Sequence, residues 1–195
     1  HDVIRRQRQM CIRDSTMTGL LKGKVAVVTG GSKGIGYSIA ERFTKEGAKV
    51  VISSRNKEEL EVVANELGSD CFAVDVSDSK SVLSLKEWLV DTHGSLDILV
   101  NCAGAVRYDG IMEVTEEDWD FLISVNLTGT FLMCNKLAPI MNDGGAILNI
   151  SSTLGLRAME GAVDYCAAKG GVVNLTKANA HYLVDKIRVN CLCPG

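Results

Sequence analysis

Six short apolar runs, each separated from the next by an amphipathic stretch, constrain the fold of this chain more than any other feature. Val25–Thr29, Lys49–Ser53, Cys71–Val74, Leu96–Val100, Ala146–Ile150 and Ile187–Leu192 are rich in β-branched residues and bounded by Gly, Asp or Asn. Such runs predict buried strands. Between them, Ile35–Glu46, Lys57–Leu67, Ser79–Thr92, Glu116–Met141 and Ala162–Val184 carry helical spacing. Thr115 followed by Asp118 fits the Asp-containing form of a capping box at the start of the fourth helix. Strands buried on both faces, each followed by a helix, pair in parallel through right-handed crossovers.

Six strands and five helices in that alternation predict an α/β chain, a Rossmann-type doubly wound parallel sheet with helices on both faces. With 46% hydrophobic residues the chain can bury a core, which excludes disorder along its whole length. No run of about 18 apolar residues occurs, so no membrane span is expected. The net charge of −3 gives no electrostatic reason to expect a nucleic-acid partner. Seven cysteines occur without a C-x-x-C, and no His or second Cys pair stands near Cys191 and Cys193 in sequence. No metal site is therefore expected, and the thiols read as reduced, buried and intracellular.

Residues 1–16 lack the periodicity of the rest of the chain and carry four arginines. They read as a non-native leader, with an Arg-rich transit peptide as the alternative, and Met17 reads as the start of a single domain over 17–195. The chain stops at Gly195 directly after a strand-like run, so it is expected to be a fragment, truncated at its C-terminal end and inactive as it stands.

The first predicted strand ends in Thr29-Gly30-Gly31-Ser32-Lys33-Gly34-Ile35-Gly36, where a helix begins. A glycine-rich turn there lets phosphates approach the backbone, while the helix N-terminus offers free N–H groups and a positive dipole. After the first strand of a doubly wound sheet, such a turn points to a dinucleotide. Tyr165 and Lys169 stand four apart on a predicted helix and so share a face. A neighbouring ammonium would favour the phenolate and lower the hydroxyl pKa toward useful acid–base chemistry. Ser151 and Ser152 end the fifth strand, and a hydroxyl there can hold a substrate carbonyl. Asn126 lies inside a long predicted helix, where its weak propensity suggests a backbone distortion or a held water.

The spacing T-G-x-x-x-G-x-G, Asp75 after the third strand, Asn101-Cys102-Ala103-Gly104, Asn126, Ser152, Tyr165-x-x-x-Lys169 and Pro194-Gly195 occur in one order. In this the chain resembles the short-chain dehydrogenase/reductase family from about Leu20 to Gly195. The resemblance implies a seventh strand that is not present. It implies a catalytic Ser152, chosen over Ser151 by its thirteen-residue spacing from Tyr165, with Tyr165 as general acid in reduction. It implies that Lys169 lowers the tyrosine pKa and binds the nicotinamide ribose, and that Asn126 completes a proton relay through a water. The cofactor set it implies comprises Thr29, Gly30, Ser32, Lys33, Gly34, Ile35, Gly36, Asp75 with the adjacent Val76, Asn101, Ala103, Gly104, Tyr165, Lys169, Pro194 and Gly195. A structural role for the Asn101 segment, bracing the sheet, stands beside direct contact.

The second strand ends at Ser53-Ser54-Arg55, with Ser54 where an NAD-preferring site would place an acid. Arg55 offers a fork suited to a 2′-phosphate, and Lys33 adds a second cation. The expected activity is therefore a hydride transfer between NADP(H), favoured over NAD(H), and a small carbonyl or secondary alcohol. A 3-oxoacyl carrier-protein reductase is the alternative within the family, and a silent dinucleotide-binding or scaffold protein the alternative outside it. A cytoplasmic location and a homodimer or homotetramer complete the expectation, the latter from apolar residues on Glu116–Met141 and Ala162–Val184 and from the family's pairing of these helices.

Overall fold

The computed structural model describes residues 19–195, and the expected leader, residues 1–16, lies outside the described residues. In chain order the elements are β1 (Val25–Thr29), α1 (Gly34–Lys45), β2 (Lys49–Ser53), α2 (Lys57–Leu67), β3 (Asp70–Cys71) and α3 (Ser79–His93). β4 (Leu96–Asn101), α4 (Glu116–Ile123), α5 (Gly129–Leu137), β5 (Met141–Ile150), α6 (Val163–Tyr182) and β6 (Ile187–Leu192) complete the series. The six strands form one sheet in the order β3-β2-β1-β4-β5-β6, and every neighbouring pair is parallel. The chain winds outward from β1 to β3, then returns to the other side of β1 with β4. That reversal opens a crevice at the C-terminal ends of β1 and β4, the place where such sheets bind ligands.

Alternation along the strands builds a core on each face. Val27, Val51, Leu99, Ile147 and Val189 point to one, where Leu85 and Leu89 of α3 and Met133 and Leu137 of α5 meet them. Val28, Val50, Ile52, Val100 and Ile150 point to the other, against Ala40 of α1 and Leu60 and Ala64 of α2. Both faces of the central strands are therefore dry, which is why their sequences read as unbroken apolar runs.

Three elements depart from expectation. β3 has two residues rather than four, yet Phe72 and Val74 still donate backbone hydrogen bonds to Ile52 and Ser54, at 3.1 and 2.9 Å. An edge segment bonded on one side only keeps the extended path without a full ladder. The expected helix Glu116–Met141 is interrupted by a π turn over Ser124–Thr128 and closes in a 3₁₀ turn at Ala138–Ile140, where Pro139 cannot continue the helix. The distortion expected at Asn126 is this π turn. β5 begins at Met141, earlier than expected, with a register shift against β4 before Ala146. The continuous helical path Glu116–Ile140 is long and apolar enough to cross a membrane by length and composition, in contrast to the expectation from apolar runs. Here its Leu122, Met133 and Leu137 are buried within the protein.

Helix starts obey local chemistry. Asn56 accepts from the Glu59 amide, and Asp78 accepts from those of Lys80 and Ser81. Thr115 accepts from the Asp118 amide, but its hydroxyl also donates to the Asp118 carboxylate, so the box closes side chain to side chain. α1, preceded by Lys33, starts after a glycine turn and without a capping side chain.

Candidate active site

A cavity of about 810 Å³ occupies the crevice at the strand ends. From the expected set, Gly30, Ser32, Lys33, Ile35, Gly36, Ser54, Arg55, Asp75, Val76, Ala103, Gly104, Pro194 and Gly195 line it, together with Asn126, Ser152, Tyr165 and Lys169. Residues dispersed along the sequence from Gly30 to Gly195 thus meet around one space.

The glycine turn is closely packed. A side chain on Gly36 would strike the Gly30 carbonyl, and one on Gly30, whose φ is +65°, would lie 3.0 Å from the Ala103 backbone. The uncapped start of α1 leaves its first amides without a side-chain acceptor. Lys33 and Arg55 stand exposed at this end. Asp75 accepts from the Ser77 hydroxyl and amide at 2.6 and 2.9 Å, and these bonds hold its carboxyl below the usual range, with Arg55 adding to the effect. Free amides, two cations and backbone surfaces bare of side chains fit an anionic dinucleotide.

Three expected cofactor residues do not line the cavity. Thr29 is buried, and its hydroxyl accepts from the amides of Cys102 and Ala103, both at 3.0 Å, tying β1 to the loop after β4. Gly34 is exposed beside the turn and serves it through a left-handed φ of +57°. Asn101 is buried, and its amide donates to Asn149 at 2.8 Å and to the Cys134 sulfur at 3.3 Å. Asn149 in turn donates to Thr176 on α6 at 2.9 Å. Of the two readings of the Asn101 segment, bracing describes its side chain.

The two serines that follow β5 are separated by their partners. Ser151 is buried and donates to the Lys169 carbonyl at 2.8 Å. Ser152 accepts from the Leu154 amide at 3.1 Å and keeps its own proton for another acceptor. Burial pushes the Tyr165 hydroxyl above its ordinary value, and a hydrogen bond with Ser152 opposes that rise. The shift runs opposite to the expected depression. The Lys169 ammonium donates to the Ile150 carbonyl at 3.0 Å and stands 5.6 Å from the centre of the Tyr165 ring. Burial also lowers the Lys169 pKa. Asn126 is fully buried, with both amide protons engaged by the carbonyls of Ala105 and Leu122, at 2.9 and 3.1 Å. Its oxygen accepts from the Ala105 amide at 3.3 Å, so the side chain clamps the loop after β4 to the π turn.

The cavity has further walls that spacing did not reveal. Asn56 and Glu59 line it beside Arg55, because the first turn of α2 folds back over the end of β2. Val106, Tyr108, Leu154, Arg157 and Met159 also line it, the last three from the segment between Ser152 and Tyr165. The position of Arg157, between those two residues in sequence, was the one available signal for it. The thiols also differ from expectation. Among the described cysteines only Cys134 is buried, and burial pushes its pKa up to about 12.

The family model described as short chain dehydrogenase matches residues 24–195. The chain is 39% identical over 188 residues to 3-oxoacyl-(acyl-carrier-protein) reductase of Chlamydia trachomatis, covering 92% of this chain and 76% of that protein. It is 40% identical over 182 residues to D-threitol dehydrogenase of Mycolicibacterium smegmatis, covering 89% of this chain and 70% of that one. A crystal structure of a short chain dehydrogenase from Mycobacterium smegmatis superposes with a TM-score of 0.86 at 34% identity, covering 90% of this chain and 78% of the other. A doubly wound sheet, a glycine turn at its crevice and relatives of this kind along nearly the whole described length lead to one conclusion: the chain belongs to the short chain dehydrogenase family of oxidoreductases.

Proposed function

We propose that the protein interconverts a small carbonyl compound and its secondary alcohol with NADP(H), through Ser152, Tyr165 and Lys169. The observation that carries the reading is that Ser152, Tyr165 and Lys169 meet around one cavity whose lining also holds Lys33 and Arg55. When bound, NADP(H) supplies or accepts the hydride at the substrate carbon. In reduction the Tyr165 hydroxyl gives its proton to the carbonyl oxygen, which leaves an alcohol. Ser152, whose proton is not engaged by the backbone, donates to that oxygen and orients it. The Lys169 ammonium, buried and free of any carboxylate partner among the described residues, places positive charge beside the pair. Asn126 holds the loop that walls the site.

The end of β2 favours the 2′-phosphate. Ser54 and Arg55 line the cavity there, and Arg55 makes no ion pair among the described residues. Glu59 on the same rim is the opposing charge, set against two cations. Names among the relatives support a 3-oxoacyl carrier-protein reductase as a second reading. In the full-length protein Tyr165→Phe tests the chemistry: it should lower kcat for ketone reduction by at least about 100-fold while NADPH binding stays within a few-fold. Retention of a tenth of kcat would exclude Tyr165 as the acid.

A further inference from the structure

The half of the cavity around Ser152 and Tyr165 has a charge pattern that the proposed chemistry does not use. Its carboxylates, Asp75 and Glu59, lie at the β2–β3 end, and Asp75 is engaged with Ser77. Among the lining residues from the segments that carry Ser152 and Tyr165 there are two cations, Lys169 and Arg157, and no acid. Lys169 is buried and bound to the Ile150 carbonyl. Arg157 is exposed, and its guanidinium makes no ion pair or hydrogen bond among the described residues. Arg107 and Arg42, by contrast, are held by Asp118 and Glu46. Glu160, three residues from Arg157, does not line the cavity and forms no pair with it.

The backbone presents Arg157 in a defined way. The segment after Ser152 makes a 3₁₀ turn over Thr153–Gly155, and the Arg157 amide donates to the Thr153 carbonyl at 3.1 Å. This fixes the root of the arginine side chain at the mouth, one short turn from Ser152. Around it the mouth is apolar, with Val106, Tyr108 and Met159 lining the cavity while 41–68% exposed. A fork-shaped, permanently charged donor at the edge of an apolar mouth matches one kind of ligand: an apolar body bearing an anionic oxygen group.

We infer that Arg157 is a substrate-binding residue that selects carbonyl compounds carrying a carboxylate or phosphate. The inference rests on the reductase reading of the same site. The test, made on the full-length protein, compares kcat/KM with NADPH for matched charged and neutral ketones: benzoylformate with its methyl ester, levulinate with its methyl ester, and dihydroxyacetone phosphate with dihydroxyacetone. Wild-type protein should favour the charged member of at least one pair by about tenfold or more, the scale of one charge-assisted hydrogen bond in a partly dry site. The pair that shows it tells a carboxylate from a phosphate. Arg157→Gln should remove that preference and leave the neutral ketone within about twofold, and Arg157→Lys should restore part of it. The inference is overturned if the neutral member is preferred in every pair, or if Arg157→Gln lowers both members alike. Reduction of neutral ketones with no charge preference sinks Arg157 alone. Reduction of no ketone sinks the reductase reading, and calorimetric titration of the same anions into wild type and Arg157→Gln then decides Arg157 by binding.

Discussion

Ser151 and Ser152 follow β5 as neighbours and both line the cavity, yet their hydroxyls have different partners. Ser151 bonds the carbonyl of Lys169 and fastens the end of β5 to α6, while Ser152 accepts from the Leu154 amide. Ser152 lowers the tyrosine pKa against a larger upward push from burial, and this has a sign that can be measured. A general acid works while protonated, so reduction should be flat through neutral pH and fall only as pH rises through a tyrosine value above about 10. Ser152→Ala should move that alkaline limb further up, besides lowering kcat, and a pH profile of kcat/KM shows either shift. A limb that moved down would mean that Ser152 does not stabilise the phenolate. At the other end, Arg55→Asp should turn a preference for NADPH into one for NADH by placing a carboxylate against the 2′-phosphate. Equal kcat/KM for the two cofactors in the wild-type full-length protein would refute the assigned role of Arg55.

Among the elements, the ones best legible in sequence are those whose pattern follows from burial alone. β1, β2 and β6 occupy the expected residues because each side chain needs a dry neighbour and nothing else competes. The π turn at Ser124–Thr128 could be anticipated only through Asn126, a weak helix former that its surroundings satisfy by clamping. β3 and the early start of β5 were not legible, since an edge segment and a bulged entry are set by partners distant in sequence. The same distance hid Glu59 from any count of spacings, and it gave Lys169 a partner in the Ile150 carbonyl in addition to the neighbour, Tyr165, that helical spacing suggested. Asp97 at the start of β4 shows how such partners act on stability. It accepts from the Val25 amide at 2.9 Å, from Lys24 at 3.0 Å and from Asn142 at 3.1 Å. Burial raises its pKa, but these three bonds outweigh burial and hold it below the usual carboxylate value. A depressed carboxyl contributes stability that is present above its unfolded pKa and lost as pH falls through the folded one. Asp97→Ala should cost about 1–3 kcal/mol at neutral pH, by leaving the buried Val25 amide without an acceptor, and the difference from wild type should shrink in acid. Urea titrations of both proteins at neutral and acidic pH check this.

At the scale of the whole molecule, the helical path Glu116–Ile140, which holds α4 and α5, and the helix α6 leave apolar groups facing outward. Phe131 on α5 and Trp119 on α4 are 46% and 38% exposed, and Tyr182 at the end of α6 is 89% exposed. We propose that these helices meet a second copy, giving a homodimer or homotetramer of the full-length protein, and light scattering that returns a monodisperse full-length monomer would contradict it. The link between Thr29 and the amides of Cys102 and Ala103 has a different kind of consequence, one of timing. Its ends lie 73 and 74 residues apart, and the pairing of β1 with β4 spans a similar distance. At the ribosome's roughly 5–20 residues per second, the glycine turn leaves about 4–15 s before the loop that walls it exists. During that interval β1 can pair with β2 but offers its other edge, apolar on both faces, to any strand nearby. The centre of the sheet is thus the part of the molecule most open to a wrong partner while it is being made, and the cavity, which draws on the ends of β5 and β6, is among the last features to close.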